Sequence, residues 1–318
     1  MMRPLCLSGL LLVSAVHAAE SAYPNRPIRL LVPQAPGGST DVMARMLAQK
    51  LTELWGQPVV VDNRAGASGN IGTALVARST ADGYTILANS SVFAVNPGLY
   101  QNAGYDPIKD FAPIIVGGIA PNIVFVHPSV AVNSLQALIA LAKQKPLSYA
   151  SPGIGTTPHL TGELLFKTLA HVNITHVPYA GGGPAVIAAV GGQTPVGITA
   201  IPTVLPMIKN GRLHAIAVTS RQRAPSLPEI LPVAEQGFPG YSDYTWIAFL
   251  APAATPPAIV AKINADIARI LKTPDAQERL SGIGFEAMEN SPRVFADYLK
   301  AEVVKWAKVV KDSGARAD

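Results

Sequence analysis

The stretch "RLLVPQAPGGSTDVMARMLAQKL", residues 29 to 51, decides the fold class. An apolar run leads through Gly37 and Gly38 to three oxygen-bearing side chains, Ser39, Thr40 and Asp41. Apolar residues then recur at helical spacing, at Val42, Met46, Leu47, Leu51 and Leu54, and Gly56 is the stop. This reads as a strand, a glycine turn and a helix. Glycine permits positive φ and close approach of a ligand to the backbone, and the first helical N–H groups have no partner within the helix. Such an end attracts anions.

Outward from this unit the same alternation repeats. "PVVVDN" reads as a second strand, "NIGTALVARS" as a helix and "YTILANS" as a third strand. From residue 123 a second series follows: "IVFVHP" (strand), "SLQALIALAKQ" (helix, capped by its serine), "LSYASP" (strand), "TPHLTGELLFKTLA" (helix), "ITHVPY" (strand), "PAVIAAVGG" (helix) and "LHAIAVTS" (strand). The pattern predicts an α/β fold with a mostly parallel sheet and helices on its faces. "RAPSLPEILPVAEQGFPGYSDYTW" reads as an extended loop, and "WIAFLAP" as a crossing back to the first series. Two closing helices, "PPAIVAKINADIARIL" and "PRVFADYLKAEVVKWAKVVK", carry apolar stripes that need the first sheet. The expected organisation is a signal peptide at 1–18, a discontinuous first lobe of 19–122 and 246–318, and a second lobe of 123–245.

Composition agrees with that division. A chain of 318 residues, 49% of them apolar, is long enough for two lobes with a core each. The first residues, "MMRPLCLSGLLLVSAVHAAE", combine one early cation, a short apolar run and small residues ending at Ala18, which reads as a secretory leader cleaved there. No later run reaches the roughly 20 apolar residues that span a bilayer, so an exported, soluble protein is expected. The one cysteine, Cys6, lies in the leader, which leaves the mature chain no thiol for a disulfide, a metal or a nucleophile. Loss of Arg3 lowers the formal charge from +5 to +4, and the remaining cations are scattered, so nucleic acid is not an expected partner.

Three strand-to-helix junctions share the glycine chemistry: "PQAPGGSTD" at 33–41, "ASPGIGTTPH" at 150–159 and "VPYAGGGPA" at 177–185. In doubly wound sheets such junctions open toward one crevice. Ser39, Thr40, Thr156 and Thr157 add hydroxyls, so a carboxylate is bound there without arginine or lysine. A hydrogen bond to a charged group contributes roughly 1.5 to 3 kcal/mol, and a micromolar complex needs about 8 kcal/mol, so four good donors suffice. The plainer alternative for any single turn is a self-capped helix start. Asp41 fits loop architecture of that kind; Tyr179 and Trp246 fit either ligand contact or packing.

Signatures of catalysis are missing. The mature histidines, His127, His159, His171, His176 and His214, include no pair with the spacing of a helical metal site. "GASGN" lacks the spacing of a nucleophile elbow, "GIGTTP" puts Pro158 where a dinucleotide fingerprint needs glycine, and no lysine follows a glycine run as in a P-loop. Neither a cofactor nor a metal is expected.

Eight blocks, "YPNRPIRLLVPQAPGGSTDVMARMLAQKL", "VDNRAGASGNIGT", "ADGYTIL", "YDPIKDFAPI", "YASPGIGTTPHLTGELL", "VPYAGGGPAVIAAVGGQ", "LPMIKNGRLHAIAVTS" and "WIAFLAPAATP", resemble in order the Bug-type extracytoplasmic solute receptors of tripartite tricarboxylate transporters. The resemblance implies a two-lobed periplasmic binding protein of the type II-like, Venus flytrap kind, with a ligand cleft between lobes. It implies a monomer that takes a small organic carboxylate, mono- or dicarboxylate, aliphatic or aromatic, and delivers it to a membrane permease. A periplasmic sensing receptor on the same lobes is the alternative. By the family match, Gln34, Pro36, Gly37, Gly38, Ser39, Thr40 and Asp41 in one loop, and Ser151, Gly153, Gly155, Thr156, Thr157 and His159 in another, grip one carboxylate, with bridging waters. Asn89, Ser90, Ser91, Tyr179, Gly181, Gly182 and Gly183 line the cleft around the rest of the ligand. Members often carry an acid in a block like "VDVMFDNLP", where this chain reads "TPVGITAIP" with Pro195 and Thr199 at the matching positions. Its absence at Thr199 implies a ligand without an ammonium group.

Overall fold

The computed structural model describes residues 23–288, 290–313 and 317. The expected signal peptide lies outside them. In chain order the elements are β1 (Ile28–Val32), α1 (Ser39–Trp55), β2 (Val59–Asn63), α2 (Asn70–Ala77), β3 (Thr85–Ser90), α3 (Val92–Leu99), β4 (Phe111–Val126), α4 (Leu135–Gln144), β5 (Leu147–Ser151), α5 (Thr157–Gly162), β6 (Ile174–Pro178), α6 (Gly182–Val190), β7 (Val196–Ala200), α7 (Ile201–Lys209), β8 (His214–Val218), β9 (Tyr244–Pro252), α8 (Pro257–Leu271), α9 (Pro274–Ile283), β10 (Glu286–Ala287) and α10 (Pro292–Ser313). The chain is α/β, as the alternation predicts.

The strands form one curled sheet in the order β2-β1-β3-β9-β4-β7-β5-β6, with β8 and β10 also paired to β4. The end groups β2-β1-β3 and β7-β5-β6 are parallel, whereas β9 and β4 run antiparallel to their neighbours. "Mostly parallel" therefore describes the two flanks but not the middle. The sequence pattern places the start of this strand near residue 123, but β4 begins at Phe111. Its first part, through Pro121, pairs with β9, and its last part, from Asn122, pairs with β7 and β8. Pro113 and the Gly117-Gly118 pair hid it, because proline cannot donate to a ladder and glycine weakens a strand. The register accordingly shifts between Pro113 and Ile115, and again between Val116 and Gly118. Also absent from the sequence reading are α3, with Pro97 inside it, α7, with Pro206, and the largely polar α9.

Apolar side chains bury on both faces of each flank. Against the β1-β3-β9 region, Met43, Leu47 and Leu51 of α1 pack with Ile263, Ile267 and Leu271 of α8 on one face, and Phe93 of α3 with Phe295 and Leu299 of α10 on the other. Around β5 and β7, Leu135 and Leu138 of α4 pack with Leu165 and Phe166 on one face, and Val186 and Ala189 of α6 with Val204 and Leu205 of α7 on the other. Burying each such side chain contributes about 1.5 to 3 kcal/mol. These cores hold the ends of β1, β3, β5, β6 and β7 rigidly around one crevice.

Candidate ligand-binding site

At that crevice the three glycine turns meet. The Ala35 amide donates to the Ala180 carbonyl (3.3 Å), which joins the turn before α1 to the turn before α6. The two backbones approach so closely that a Cβ on Gly183 would lie 2.5 Å from the Pro36 carbonyl oxygen, and one on Gly38 would lie 3.5 Å from the Gly182 nitrogen. Glycine is required at 183 for this approach. Neither α1 nor α6 has a side chain capping its first turn, so both helix starts present free amides and the positive end of the macrodipole.

Two adjoining cavities occupy the crevice. One is lined by Gln34, Gly38, Ser39, Thr40, Ser90, Pro152, Thr156, Thr157, Pro158, Gly182, Ala200, Thr203 and Thr245. The other shares Gln34, Pro152 and Thr156 with the first and adds Tyr179, Ala180, Val92 and the 66–69 loop. Among the described residues neither wall contains a charged side chain. In that loop Ala67 and Ser68 hold φ of 46° and 51°. Tyr100 and Asn96 donate to the Ser68 hydroxyl (3.0 Å) and carbonyl (3.1 Å) and fix this left-handed bend against the cavity.

Several expected site residues stand behind the wall rather than in it. Asp41 accepts from the Gly37 amide (2.9 Å), Arg45 (2.9 Å) and Asn63 (3.0 Å). Burial opposes its ionisation, yet these hydrogen bonds and the Arg45 charge hold its carboxyl below the ordinary value. It shapes the turn. Asn89 accepts from Gln34 (2.8 Å) and orients it. Ser151 Oγ meets His176 Nε2 (2.7 Å), and His159 Nδ1 accepts from the Gly155 amide (3.1 Å). Gly153 takes φ 135° in the same turn. The Ser91 hydroxyl reaches Thr157 (3.4 Å), and Thr199 is fully buried on β7, away from both cavities. Pro36 contributes its carbonyl to the contact with Gly183. Tyr179 donates to or accepts from Thr194 (2.8 Å) while lining the second cavity, and Trp246 is buried, donating to Glu302 (3.0 Å).

Two hydroxyls expected to donate to a ligand are committed elsewhere. Thr156 gives its proton to the Gly153 carbonyl (2.8 Å) and caps α5 by accepting from the His159 amide. Thr157 bonds Thr245 Oγ1 (2.5 Å). The sequence reading missed Thr203 and Thr245, which no motif marks, the 66–69 loop, quoted there within a family block but given no site role, and His176, whose ring stacks on His159 with centroids 4.1 Å apart. Burial pushes His159 down to about 4, partly offset by Glu163. It pushes His176 down to about 3, aided by His159. Both imidazoles are neutral props of the turn before α5. A larger cavity lies behind α5, against Tyr298, Glu302 and Trp306. The three carboxylates in its wall already have partners: Glu302 with Trp246, Trp306 and Lys305, Glu163 with Tyr149 and Lys167, and Asp243 with Thr161, Tyr241 and Asn122.

Residues 43–315 match the family model for the tripartite tricarboxylate transporter family receptor. The chain belongs to this family. The protein BugT of Bordetella pertussis is 38% identical over 324 residues, covering 99% of each chain, and a Pseudomonas protein from a tcbD-tcbE intergenic region is 37% identical over 311 residues, covering 96% of this chain and 92% of its own. Among solved structures, an R. palustris protein with adipate is 38% identical with a TM-score of 0.89, covering 92% of this chain and 99% of its own. The periplasmic binding protein BugD is 35% identical with a TM-score of 0.88, covering 92% and 99%. MatC from Rhodopseudomonas palustris with bound malate is 29% identical with a TM-score of 0.84, covering 91% and 100%. The fold is therefore the two-lobed fold of periplasmic binding proteins, and this family receptor is a solute-binding protein, not an enzyme.

Proposed function

We propose that this receptor works in the periplasm, after removal of residues 1–18, as a monomer that captures a small organic carboxylate and passes it to a tripartite tricarboxylate-type permease. The observation that carries this reading is the pair of uncapped helix starts, α1 and α6, meeting at Gly38 and Gly182 beside a cavity with no charged side chain. A carboxylate there accepts from the main-chain amides of Ser39, Thr40 and Gly183 and from the hydroxyls of Ser39 and Thr40. Each charge-assisted bond contributes roughly 1.5 to 3 kcal/mol, and the helix dipoles add about 0.3 to 1 kcal/mol each. The rest of the ligand extends past Gln34 toward Tyr179 and the 66–69 loop. No acidic side chain lines either cavity to serve as counter-ion for an ammonium group, so the ligand lacks one.

The lobes, 19–122 with 246–318 and 123–245, close on the ligand. The change of strand partners on β4 between Pro121 and Asn122 supports a division there. The adipate and malate held by two neighbours support the ligand class. Thermal melts against a panel of mono- and dicarboxylates test the reading. At least one acid at a thousand times its Kd is expected to stabilise the protein by about 4 kcal/mol. Tight binding of an amino acid, with no response to any plain acid, would reject it.

A further inference from the structure

Hydrogen-bond direction can be followed from a buried carboxylate to the wall of the first cavity. Asp243 Oδ2 accepts the single protons of Thr161 (2.7 Å) and Tyr241 (2.6 Å). With Asp243 ionised under the protons of Thr161 and Tyr241, the Asn122 group that faces both Asp243 Oδ1 (2.7 Å) and Thr161 Oγ1 (3.3 Å) is its NH2, since neither oxygen then has a proton to offer it. Asn122 Oδ1 is left as an acceptor and takes the proton of Thr245 (2.7 Å). Thr245 has no second proton, so it accepts in its contact with Thr157 (2.5 Å). The Thr157 proton is thereby used, and Ser91 donates to its oxygen from another side (3.4 Å). Thr157 and Thr245, both in the cavity wall, can only accept from a ligand.

A third acceptor belongs to the same wall. The Ser90 amide donates to Asn89 Oδ1 (2.8 Å), which identifies that atom as the oxygen. Gln34 must therefore turn its NH2 toward it (2.8 Å), and Gln34 Oε1 is left buried without a hydrogen-bond partner. A buried acceptor without a partner costs roughly 1 to 3 kcal/mol, so a donor brought by the ligand is favoured. No acidic side chain lines either cavity, so a cationic donor would remain uncompensated. A neutral hydroxyl fits.

We propose that the ligand is a hydroxy-carboxylate, whose carboxylate rests on the starts of α1 and α6 while its hydroxyl donates to the acceptors at Thr157, Thr245 and Gln34. This rests on the carboxylate reading above and narrows it. Thr157 is a specificity residue, and Asn122 and Asp243 act through it as positioning residues. Burial pushes the Asp243 carboxyl up, against hydrogen bonds from Tyr241, Thr161, Thr219 and Asn122 that hold it down.

Titration calorimetry on the mature protein tests this with matched pairs of C3 to C6 mono- and dicarboxylates, each with and without a hydroxyl, both enantiomers included. The wild type is expected to bind at least one hydroxylated acid ten times or more tightly than its plain partner. In Thr157→Val that ratio falls at least fivefold, and in Thr157→Ser, which keeps the hydroxyl, it is retained. If no carboxylate of either series binds the wild type, the carboxylate reading itself has failed. If acids bind but the plain ones bind as well as the hydroxylated, or if Thr157→Val folds and keeps the wild-type ratio, the inference is overturned while the carboxylate reading stands.

Discussion

The turns that start α1 and α5 are written alike: glycines, a pair of hydroxyl residues, then a helix. Their donors end in different places. Before α1, Asp41 reaches back to the Gly37 amide and leaves the helix start itself uncapped, opposite Gly182. Before α5, His159 takes the Gly155 amide, Thr156 caps its own helix, and Thr157 gives its proton to Thr245. One turn keeps its helix-start amides free; the other has used most of its donors and is left with oxygens. What separates them is not the turn sequence but the partners brought from elsewhere in the chain, Asn122, His176, Asp243 and Thr245 among them.

The sharpest way to break this contrast is a charge at the open turn. Gly38 has φ −80° and ψ 167°, which any residue adopts, and a Cβ there makes only an ordinary contact with Gly182. Gly38→Asp is expected to fold normally and to lose at least a hundredfold in affinity for the acid, because it sets a carboxylate where the ligand's belongs. Calorimetry and a melting curve measure both; an unchanged Kd would place the anion elsewhere.

Acid should act next most strongly, through the closed turn. His159 and His176 stay neutral in the folded chain to about pH 4 and 3, whereas in the unfolded chain they protonate near pH 6.5. Above pH 6.5 the two states bind equal numbers of protons here, and nothing changes. As the pH falls from 6.5 toward 4, the unfolded chain takes up protons that the folded chain refuses, and stability drops by on the order of 3 kcal/mol from His159 alone. Denaturation curves across that window check the slope, and His176→Gln should flatten it.

The smallest expected effect is at Thr156. Thr156→Val removes the cap of α5 and should lower stability by about 1 kcal/mol, with an affinity loss of less than tenfold, because its hydroxyl donates to Gly153 and not to the ligand. A hundredfold loss in a folded variant would erase the distinction between the two turns.

Much of this architecture was legible in the sequence because period and punctuation agree in the elements concerned. The β1 turn into α1, and the β5 and β6 turns into α5 and α6, are flanked by clear apolar periods, and α1 and α6 are stopped by glycine. The first half of β4 was not legible, since Pro113 and Gly117-Gly118 imitate a loop, nor was α3, where Pro97 sits inside a helix buried on several sides. Within the site, the convergence of glycines was readable, but the direction of each hydroxyl was not. Proton direction at Thr157 depends on Asn122 and Asp243, one of them 35 residues before it and the other 86 after it, and local sequence carries no trace of that link. The same holds for the stacked His159 and His176, which look like unrelated residues until β6 brings them together.

The central claim is that main-chain amides at the starts of α1 and α6, with no charged side chain, hold the acid. A crystal structure of the protein with its co-purified or calorimetrically identified ligand tests this most directly. The account predicts carboxylate oxygens within about 3.2 Å of main-chain nitrogens at both helix starts. A carboxylate seated on an arginine or lysine, a ligand lodged behind α5 against Tyr298 and Trp306, or a bound compound with no acidic group would contradict it.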